Sequence, residues 1–214
     1  MNSYCRSMAD ARQAETRKII ESCGALIEDD HFVYASGHHG NGWIAKDIIN
    51  LDPQLPRRLG ELLAESVSDL DIDVVCGPAV GGLICAQFTA LALSTHCVFA
   101  ERENVDGRER FVLRRGQDDF IRGKRVLVVD DVVNTGYSLR LSMDAIRECG
   151  GEVVAAATWI SRGNVMATDL GIDHYVFLDE VSLPSWPAES CELCSLQIPV
   201  NTRYAHGADF MAGR

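Results

Sequence analysis

The sequence predicts an α/β protein built on a doubly wound parallel sheet. After about residue 71, short apolar runs typical of strands alternate with longer helical patterns, which is the rhythm of β-α-β units. One of these runs, Val126–Val129, has four consecutive apolar residues, as expected of a strand buried on both faces. Acidic or glycine-rich segments directly follow two of the strands, at the sheet edge where such folds bind ligands.

Length and composition fit one globular domain. The chain has 214 residues, 47% of them hydrophobic and 24% charged, so we predict a single domain over residues 1–214. The net charge of −11 argues against nucleic acid or an anionic membrane surface as a partner. No apolar stretch reaches the length of a membrane span, and Met1–Asp10 has no signal-peptide core. We therefore expect a cytoplasmic protein whose eight cysteines stay reduced.

The N-terminal third is predicted to hold two helices separated by short β-like runs. The second helix has Asp52 as its N-cap and Pro53 at its first position, which suits the missing N–H of proline. The predicted segments are a helix over Ala9–Cys23, β-like runs at Phe32–Tyr34 and Trp43–Ala45 around the turn Gly37–Gly42, and a helix over Pro53–Leu70.

The remaining chain supplies the alternating elements, and its tail is predicted to be irregular because it contains three prolines. The predicted strands are Ile72–Cys76, His96–Ala100, Arg125–Val129, Glu152–Ile160 and His174–Leu178. The predicted helices are Gly81–Leu93, Tyr137–Cys149 and a short one near Asn164–Leu170.

The segment after Val126–Val129 combines two kinds of binding group. Asp130 and Asp131 come at the strand end, and a short loop with hydroxyls and a glycine then leads into a helix. Such a loop can offer several N–H groups to a phosphate, helped by the helix N-terminus. The carboxylates would repel phosphate and suit sugar hydroxyls or hydrated Mg²⁺. The segment therefore predicts a ligand with a phosphate at one end and a diol at the other.

This segment closely resembles the phosphoribosyl-pyrophosphate (PRPP) signature of type I phosphoribosyltransferases. The resemblance implies that Asp130 and Asp131 hold the ribose hydroxyls and act in catalysis, while the loop cradles the 5′-phosphate. It also implies a sheet core over about 71–180 and a small hood formed by residues 1–70 and 181–214. The PRPP-binding residues so assigned are Asp130, Asp131, Val132, Val133, Asn134, Thr135, Gly136, Tyr137 and Ser138.

A second glycine-containing turn follows the first strand of the predicted core. Glycines at a strand–helix turn permit unusual backbone angles and close approach of a ligand. Beside the PRPP-like signature, this turn looks like the pyrophosphate loop of the same family, with backbone amides facing the leaving group. The residues assigned to it are Ala79, Val80, Gly81 and Gly82.

The charged segment Glu101–Gln117 is long for a connection within a compact domain, so it is predicted to be a lid or a hairpin. It carries five arginines in an otherwise acidic protein. In the family that the sequence resembles, this region is a mobile loop that closes over the neighbouring subunit's site. The resemblance implies a homodimer and a catalytic role for Arg102, the loop's one confident basic match.

The base is indicated by further resemblance to orotate phosphoribosyltransferases, at Phe32–Lys46, Phe99–Arg115 and the C-terminal tail. It implies that Arg162 contacts the base, where its guanidinium could pair with a carboxylate. Ala35 departs from the family's usual Lys. Orotate is thus the favoured base. A phosphoribosyltransferase for another base, and a regulator that binds PRPP or a nucleotide without catalysis, remain alternatives.

Mg²⁺ is the expected cofactor, because it would neutralise pyrophosphate and improve the leaving group. It would be held mainly by PRPP, so no residue is assigned as a metal ligand. Cys191 and Cys194 form a lone C-x-x-C pair, for which a structural role without metal is favoured and metal binding stays open. His38 and His39 are interpreted as a solvated turn or as base contacts.

Overall fold

The computed structural model describes residues 3–163 and 165–213, with side chains from Ser7 onward. Asn164, near which a helix was predicted to begin, lies outside the described residues. The chain divides into two compact units. The sheet unit contains the chain up to Lys18 together with Asn50–Val181, and the small unit contains Ile19–Ile49 and the chain from Ser182 onward. The core and hood that the resemblance implied stay a prediction.

The first half of the chain contains the elements α1 to α3 and β1 to β5, of which β1 to β4 have only two residues each. A 3-10 helix, Lys46–Leu51, precedes the second helix. In chain order the elements are α1 (Ser3–Ser22), β1 (Leu26–Ile27), β2 (Phe32–Val33), β3 (His39–Gly40), β4 (Trp43–Ile44), α2 (Gln54–Ser66), β5 (Val74–Pro78) and α3 (Gly81–Leu93).

The second half contains the longer strands, and a second 3-10 helix spans Ala188–Ser190. In chain order the elements are β6 (His96–Val105), β7 (Arg108–Val112), α4 (Gln117–Phe120), β8 (Arg125–Val133), α5 (Tyr137–Glu148), β9 (Glu152–Ser161), α6 (Ala167–Leu170), β10 (Tyr175–Glu180), β11 (Ser185–Trp186), α7 (Glu192–Ser195) and α8 (Gly207–Ala212).

The sheet unit contains six strands in the order β10-β9-β8-β5-β6-β7. All neighbours pair in parallel except β7, which is antiparallel to β6. From β5 the chain moves to β6 on one side, and from β8 it moves to β9 on the other. The winding therefore reverses between β5 and β8, and the crevice at their carboxyl ends is where such sheets bind ligands. The predicted α/β fold is confirmed.

The sheet is buried on both faces, which explains its apolar strands. On one face Val126 and Val128 pack in a cluster with Leu139, Met143 and Ile146 of α5. Leu127 and Val129, which alternate with these two residues along β8, are also completely buried. Helix α3 contacts β5, β6 and β8. Because side chains alternate between the faces of a strand, α3 and α5 cover opposite faces.

Several elements differ in length from the prediction. Strand β8 continues through the acidic pair to Val133, because Val133 still pairs with Ser161 of β9. Helix α2 ends at Ser66 instead of Leu70. It begins at Gln54 with Pro53 as the N-cap, one residue later than predicted, and the N–H of Gln54 donates to Asp52 Oδ1 at 3.0 Å just before the helix. Local sequence patterns mark these elements but do not say how far a neighbouring strand extends the pairing.

The small unit is built from two sheets of two-residue strands. One is the antiparallel pair β1–β4, and the other has the order β11-β3-β2. The tail predicted to be irregular thus contains β11, which forms because Trp186 pairs with His39 of β3. Phe32 is completely buried and stacks on Trp43 with ring centroids 6.3 Å apart. Among the described residues, no helix is long and apolar enough to cross a membrane.

Candidate active site

The two acidic residues at the end of β8 are not equivalent. Asp130 lines a pocket and is 8% exposed, whereas Asp131 is completely buried and lies outside the pocket lining. The alternation of side chains along a strand sends the two neighbours to opposite faces. Each carboxylate also accepts the next backbone N–H, Asp131 N to Asp130 Oδ1 at 3.0 Å and Val132 N to Asp131 Oδ1 at 2.7 Å. Among the described residues that line this pocket, Asp130 alone presents a carboxylate to a ligand.

The predicted phosphate loop forms the rest of that pocket, which is open to solvent and has a cavity volume of about 100 Å³. Gly136 has φ +70°, and α5 begins at the next residue. A Cβ at Gly136 would lie 2.6 Å from Leu170 Cδ2, so the tight turn requires glycine. The loop and the helix N-terminus together suit an anion. The lining consists of Asp130, Val132, Val133, Asn134, Thr135, Gly136, Tyr137, Ser138 and Leu139.

The predicted pyrophosphate loop, residues 79–82, lies beside Asp130. A Cβ at Gly77 would lie 2.0 Å from the Gly82 carbonyl oxygen, and one at Gly82 would lie 2.9 Å from Asp130 Oδ1. Both positions therefore need glycine, because the β5–α3 turn closes on itself and on the end of β8. The N–H of Ala79 donates to the Ala100 carbonyl at 2.9 Å, and the Val80 side chain is 74% exposed. The two predicted loops meet at the sheet's switch point.

Arg162 directly follows β9, and its backbone is attached to the end of β8. Its N–H donates to the Val133 carbonyl at 2.7 Å. A Cβ at Gly163 would lie 2.4 Å from the Asn134 carbonyl oxygen, so this segment packs tightly on the phosphate loop. The Ser161 hydroxyl donates to the Gly163 carbonyl at 2.9 Å and closes the turn. The structure thus brings the predicted base-binding arginine next to the predicted phosphate site.

The charged segment predicted as a lid or a hairpin is the antiparallel β6–β7 hairpin. Arg102 donates to Glu109 across it at 3.0 Å, and its guanidinium lies 5.6 Å from the centre of the Phe111 ring. The ion pair with Arg110, 2.8 Å long, and the contact with Arg114 hold the pKa of Glu103 below its ordinary value. Arg102 does not belong to the pocket lining.

The cysteines of the sheet core are not candidates for a nucleophile. Cys76 and Cys85 are completely buried. Burial raises the pKa of the Cys76 thiol, and burial together with the carboxylates of Asp131 and Asp130 raises the pKa of the Cys85 thiol. Both stay protonated at neutral pH, so neither supplies a thiolate.

A hard divalent cation fits this pocket in chemical terms. The carboxylate of Asp130 is accessible there and offers the oxygen donor that Mg²⁺ prefers. A sugar–phosphate ligand would bring further oxygens. The pocket therefore suits Mg²⁺ held jointly by the ligand and Asp130.

A second group of reactive side chains lies in the small unit and was only partly anticipated. The sequence singled out Cys191, Cys194 and His39 but missed His31, which is 1% exposed and contacts all three. His39 is completely buried and does not form a solvated turn, while the neighbouring His38 is exposed. The signal in the sequence was a lone histidine before an apolar pair, which is too weak to connect with a motif 160 residues away.

Comparison with known proteins identifies the family to which the chain belongs. Residues 47–190 match the phosphoribosyl transferase domain. Orotate phosphoribosyltransferase of Carboxydothermus hydrogenoformans is 38% identical over 182 residues, which cover 82% of this chain and 89% of that protein. The orotate phosphoribosyltransferase of Thermotoga maritima is 34% identical over 192 residues, which cover 89% of this chain and 98% of that protein.

Solved structures have the same fold. Orotate phosphoribosyltransferase from Aeropyrum pernix superposes with a TM-score of 0.64 at 28% identity, covering 77% of this chain and 92% of that one. Orotate phosphoribosyltransferase from Mycobacterium tuberculosis in complex with PRPP gives a TM-score of 0.60 at 22% identity, covering 79% of this chain and 96% of that one. At the latter identity the likeness concerns the fold alone.

Proposed function

Because this chain belongs to the phosphoribosyl transferase domain family, we propose that it transfers the phosphoribosyl group of PRPP to orotate, which gives orotidine 5′-phosphate and pyrophosphate. The observation that carries this proposal is the pocket at the switch point. One continuous segment, residues 130–139, supplies both a carboxylate and an anion-binding loop to it. The relatives named orotate phosphoribosyltransferase, 34–38% identical, support orotate as the base.

The chain's own residues would act mainly by positioning. The loop Asn134–Ser138 and the N-terminus of α5 hold the 5′-phosphate, so binding energy far from the reacting carbon orients the sugar. Asp130 accepts hydrogen bonds from ribose hydroxyls and stabilises positive charge that grows on C1. The amides of Val80, Gly81 and Gly82 would face the pyrophosphate beside Asp130, whereas the N–H of Ala79, which was assigned to the same loop, is already bonded to the Ala100 carbonyl. Asp130 and PRPP would together hold Mg²⁺, which would neutralise charge on the leaving group.

The transfer needs no protein nucleophile. A ring nitrogen of orotate forms the new bond to C1, and the C1–O bond to pyrophosphate breaks with its electron pair on pyrophosphate. The proton of that nitrogen is released to pyrophosphate or to solvent. Arg162 pairs with the orotate carboxylate through its guanidinium. The hydrogen bond from its backbone N–H to the Val133 carbonyl keeps this residue at the end of β8, beside the phosphate loop. The buried, protonated thiols of Cys76 and Cys85 take no part.

A panel of bases tests this proposal directly. PRPP with Mg²⁺ is incubated with orotate, uracil, purines or nicotinate, and released pyrophosphate is measured. Release of pyrophosphate with orotate, and with none of the other bases, supports the proposal. Ala35, which replaces the family's usual Lys, favours another base as the second candidate, and turnover with such a base instead of orotate would establish it. Binding of PRPP without turnover with any base would indicate a regulator.

The functional unit is proposed to be a homodimer in which Arg102 serves the partner's site. Support comes from the hairpin, where Arg102 is 59% exposed at its side chain and lies outside its own pocket lining. Mixing an Arg102→Ala protein with an Asp130→Asn protein makes half of the dimers hybrid, each with one intact shared site. Recovery should approach about a quarter of the unmodified activity. No recovery after demonstrated subunit exchange would exclude the shared site.

A further inference from the structure

Four potential metal ligands converge in the small unit. They are His31 Nε2, His39 Nδ1, Cys191 Sγ and Cys194 Sγ, and all four atoms lie within 4.8 Å of one another. Both histidines and Cys191 are buried, and Cys194 is half-buried. Two sulfurs and two imidazole nitrogens are the donor set of a common structural zinc site.

The distances between these atoms agree with tetrahedral coordination. With Zn–N near 2.0–2.1 Å and Zn–S near 2.3 Å, tetrahedral angles put a nitrogen and a sulfur about 3.5–3.6 Å apart. The observed distances to His31 Nε2 are 3.6 Å from Cys191 Sγ and 3.8 Å from Cys194 Sγ, and Cys194 Sγ lies 3.4 Å from His39 Nδ1. The two nitrogens are 2.8 Å apart, so a bound ion would move the rings apart by about half an ångström.

The backbone around the cluster orients the ligands. His31 Nδ1 lies 2.8 Å from the Ile198 carbonyl, which can only accept a hydrogen bond. This contact places the imidazole proton on Nδ1 and leaves the lone pair of Nε2 directed at the cluster. The Asn201 N–H donates to the His31 carbonyl at 2.7 Å. His39 lies in the middle strand of its sheet, paired on both sides.

We propose that His31, His39, Cys191 and Cys194 bind one zinc ion as a structural site. Binding releases one proton from each thiol, and the two thiolates then balance the charge of Zn²⁺. The resulting site is neutral, which suits its burial. Four protein ligands leave no open position for a substrate, so the ion is structural and not catalytic.

The build of the small unit explains what the ion would stabilise. The five strands among its described residues have two residues each, and its two segments are more than 130 positions apart in sequence. Small units with little regular structure commonly need a metal or disulfides for stability. A zinc ion would join the segment around β2 and β3 to the segment around α7. The ligands are separate in sequence from the PRPP pocket, so this inference is independent of the proposed function.

Zinc content of the purified protein is the first test. Protein purified under reducing conditions should contain about one zinc ion per chain, measured by inductively coupled plasma mass spectrometry. Cys191→Ser and Cys194→Ser should each retain less than about a tenth of it. Cys23→Ser is the matched control, since Cys23 is a half-buried thiol of the same unit outside the cluster. Zinc loss from this control equal to that from the cluster variants would overturn the proposal.

Cobalt substitution tests the geometry without any variant. Zinc-free protein of unchanged sequence is titrated with Co²⁺, and its absorption spectrum is recorded. Intense visible bands of tetrahedral Co²⁺, with thiolate-to-cobalt charge transfer, should saturate at about one equivalent and disappear when zinc is added. A weak octahedral spectrum would overturn the proposal. So would a Cys191–Cys194 disulfide in freshly purified reduced protein, or the absence of both native zinc and zinc binding.

Discussion

The PRPP pocket and the His31–Cys194 cluster have opposite relations to the sequence. All nine lining residues of the pocket lie between Asp130 and Leu139, one strand end and the helix start that follows it. The cluster instead joins residues up to 163 positions apart. A contiguous site can be identified from its order and spacing, because backbone geometry alone brings its groups together. A dispersed site exists only after the chain has folded.

The largest expected effect would come from the residue that makes the pocket chemically active. Asp130→Asn should lower kcat/KM for PRPP about 100-fold or more, roughly 3 kcal/mol, because a carboxylate facing the ribose is lost. Asp131→Asn makes the same chemical change at the next residue, which is completely buried. We expect it to alter the PRPP Kd at least ~10-fold less, since its side chain is outside the pocket lining.

Calorimetry with PRPP and Mg²⁺, and thermal unfolding of both variants, measure this difference. Equal losses of PRPP affinity would mean that the two carboxylates act together, as the sequence alone suggested. Loss of folded structure in Asp130→Asn would contradict the view that this residue serves the ligand and not the fold.

Arg162 tests whether a residue outside the contiguous segment 130–139 contributes to the active site. It lies 24 positions or more beyond the phosphate loop in sequence, yet its N–H is bonded to Val133. Arg162→Ala should raise the KM for orotate about 30-fold or more and leave that for PRPP within about 3-fold, because one partner of a charged pair is removed. Arg147→Ala, a surface change on α5, is the control. Equal effects on both substrates would indicate a general defect.

Gly136 tests whether the loop conformation depends on distant packing. Gly136→Ala and Gly123→Ala both place a Cβ at positive φ, which costs roughly 1–2 kcal/mol of folding free energy. Only Gly136 meets another side chain, Leu170, which is 3% exposed and so has little room to move. Gly136→Ala should therefore lose about 1–3 kcal/mol more in urea unfolding. Equal losses of unfolding free energy in the two variants would show that packing of the loop against Leu170 of α6 does not affect stability.

The smallest effect is expected at a long-range contact that carries no chemistry. Arg58 donates to Glu15, 43 residues away, at 2.7 Å, and this hydrogen bond lowers the pKa of Glu15. A lowered pKa means that the stabilisation is present above the ordinary value of 4.5 and is lost as the pH falls through the pKa of the folded state.

Glu15→Gln should cost no more than ~1 kcal/mol at neutral pH, because both side chains are partly exposed and solvent screens the pair. The difference from the unmodified protein should be smaller at a pH well below 4.5 than at neutral pH, because the stabilisation is lost as the pH falls through the lowered pKa of Glu15. Urea unfolding at the two pH values measures it. A larger loss of unfolding free energy at neutral pH would mean that this long-range contact stabilises the fold by more than its exposure suggests.

The sequence anticipated parts of the fold for reasons that are visible in the structure. Val126–Val129 predicted a central strand because only a strand covered on both faces is apolar at every position. The glycines of the β5–α3 turn predicted close approach of a ligand, which stays a prediction, and the structure shows that Gly82 lies close to Asp130. The length of the charged segment in the β6–β7 region predicted a lid or a hairpin, and in the hairpin residues of opposite charge lie opposite each other across the strands, such as Glu103 and Arg110.

Sequence alone determined the α/β class and the position of the PRPP-like loop, because both depend on local periodicity and on residues close together in the chain. Tertiary structure alone decided that Asp130 is accessible while Asp131 is buried, since this depends on which face of β8 each neighbour covers. It also decided that His31 and His39 meet Cys191 and Cys194. No local pattern encodes such a meeting, because it results from the pairing of β2, β3 and β11 across most of the chain length.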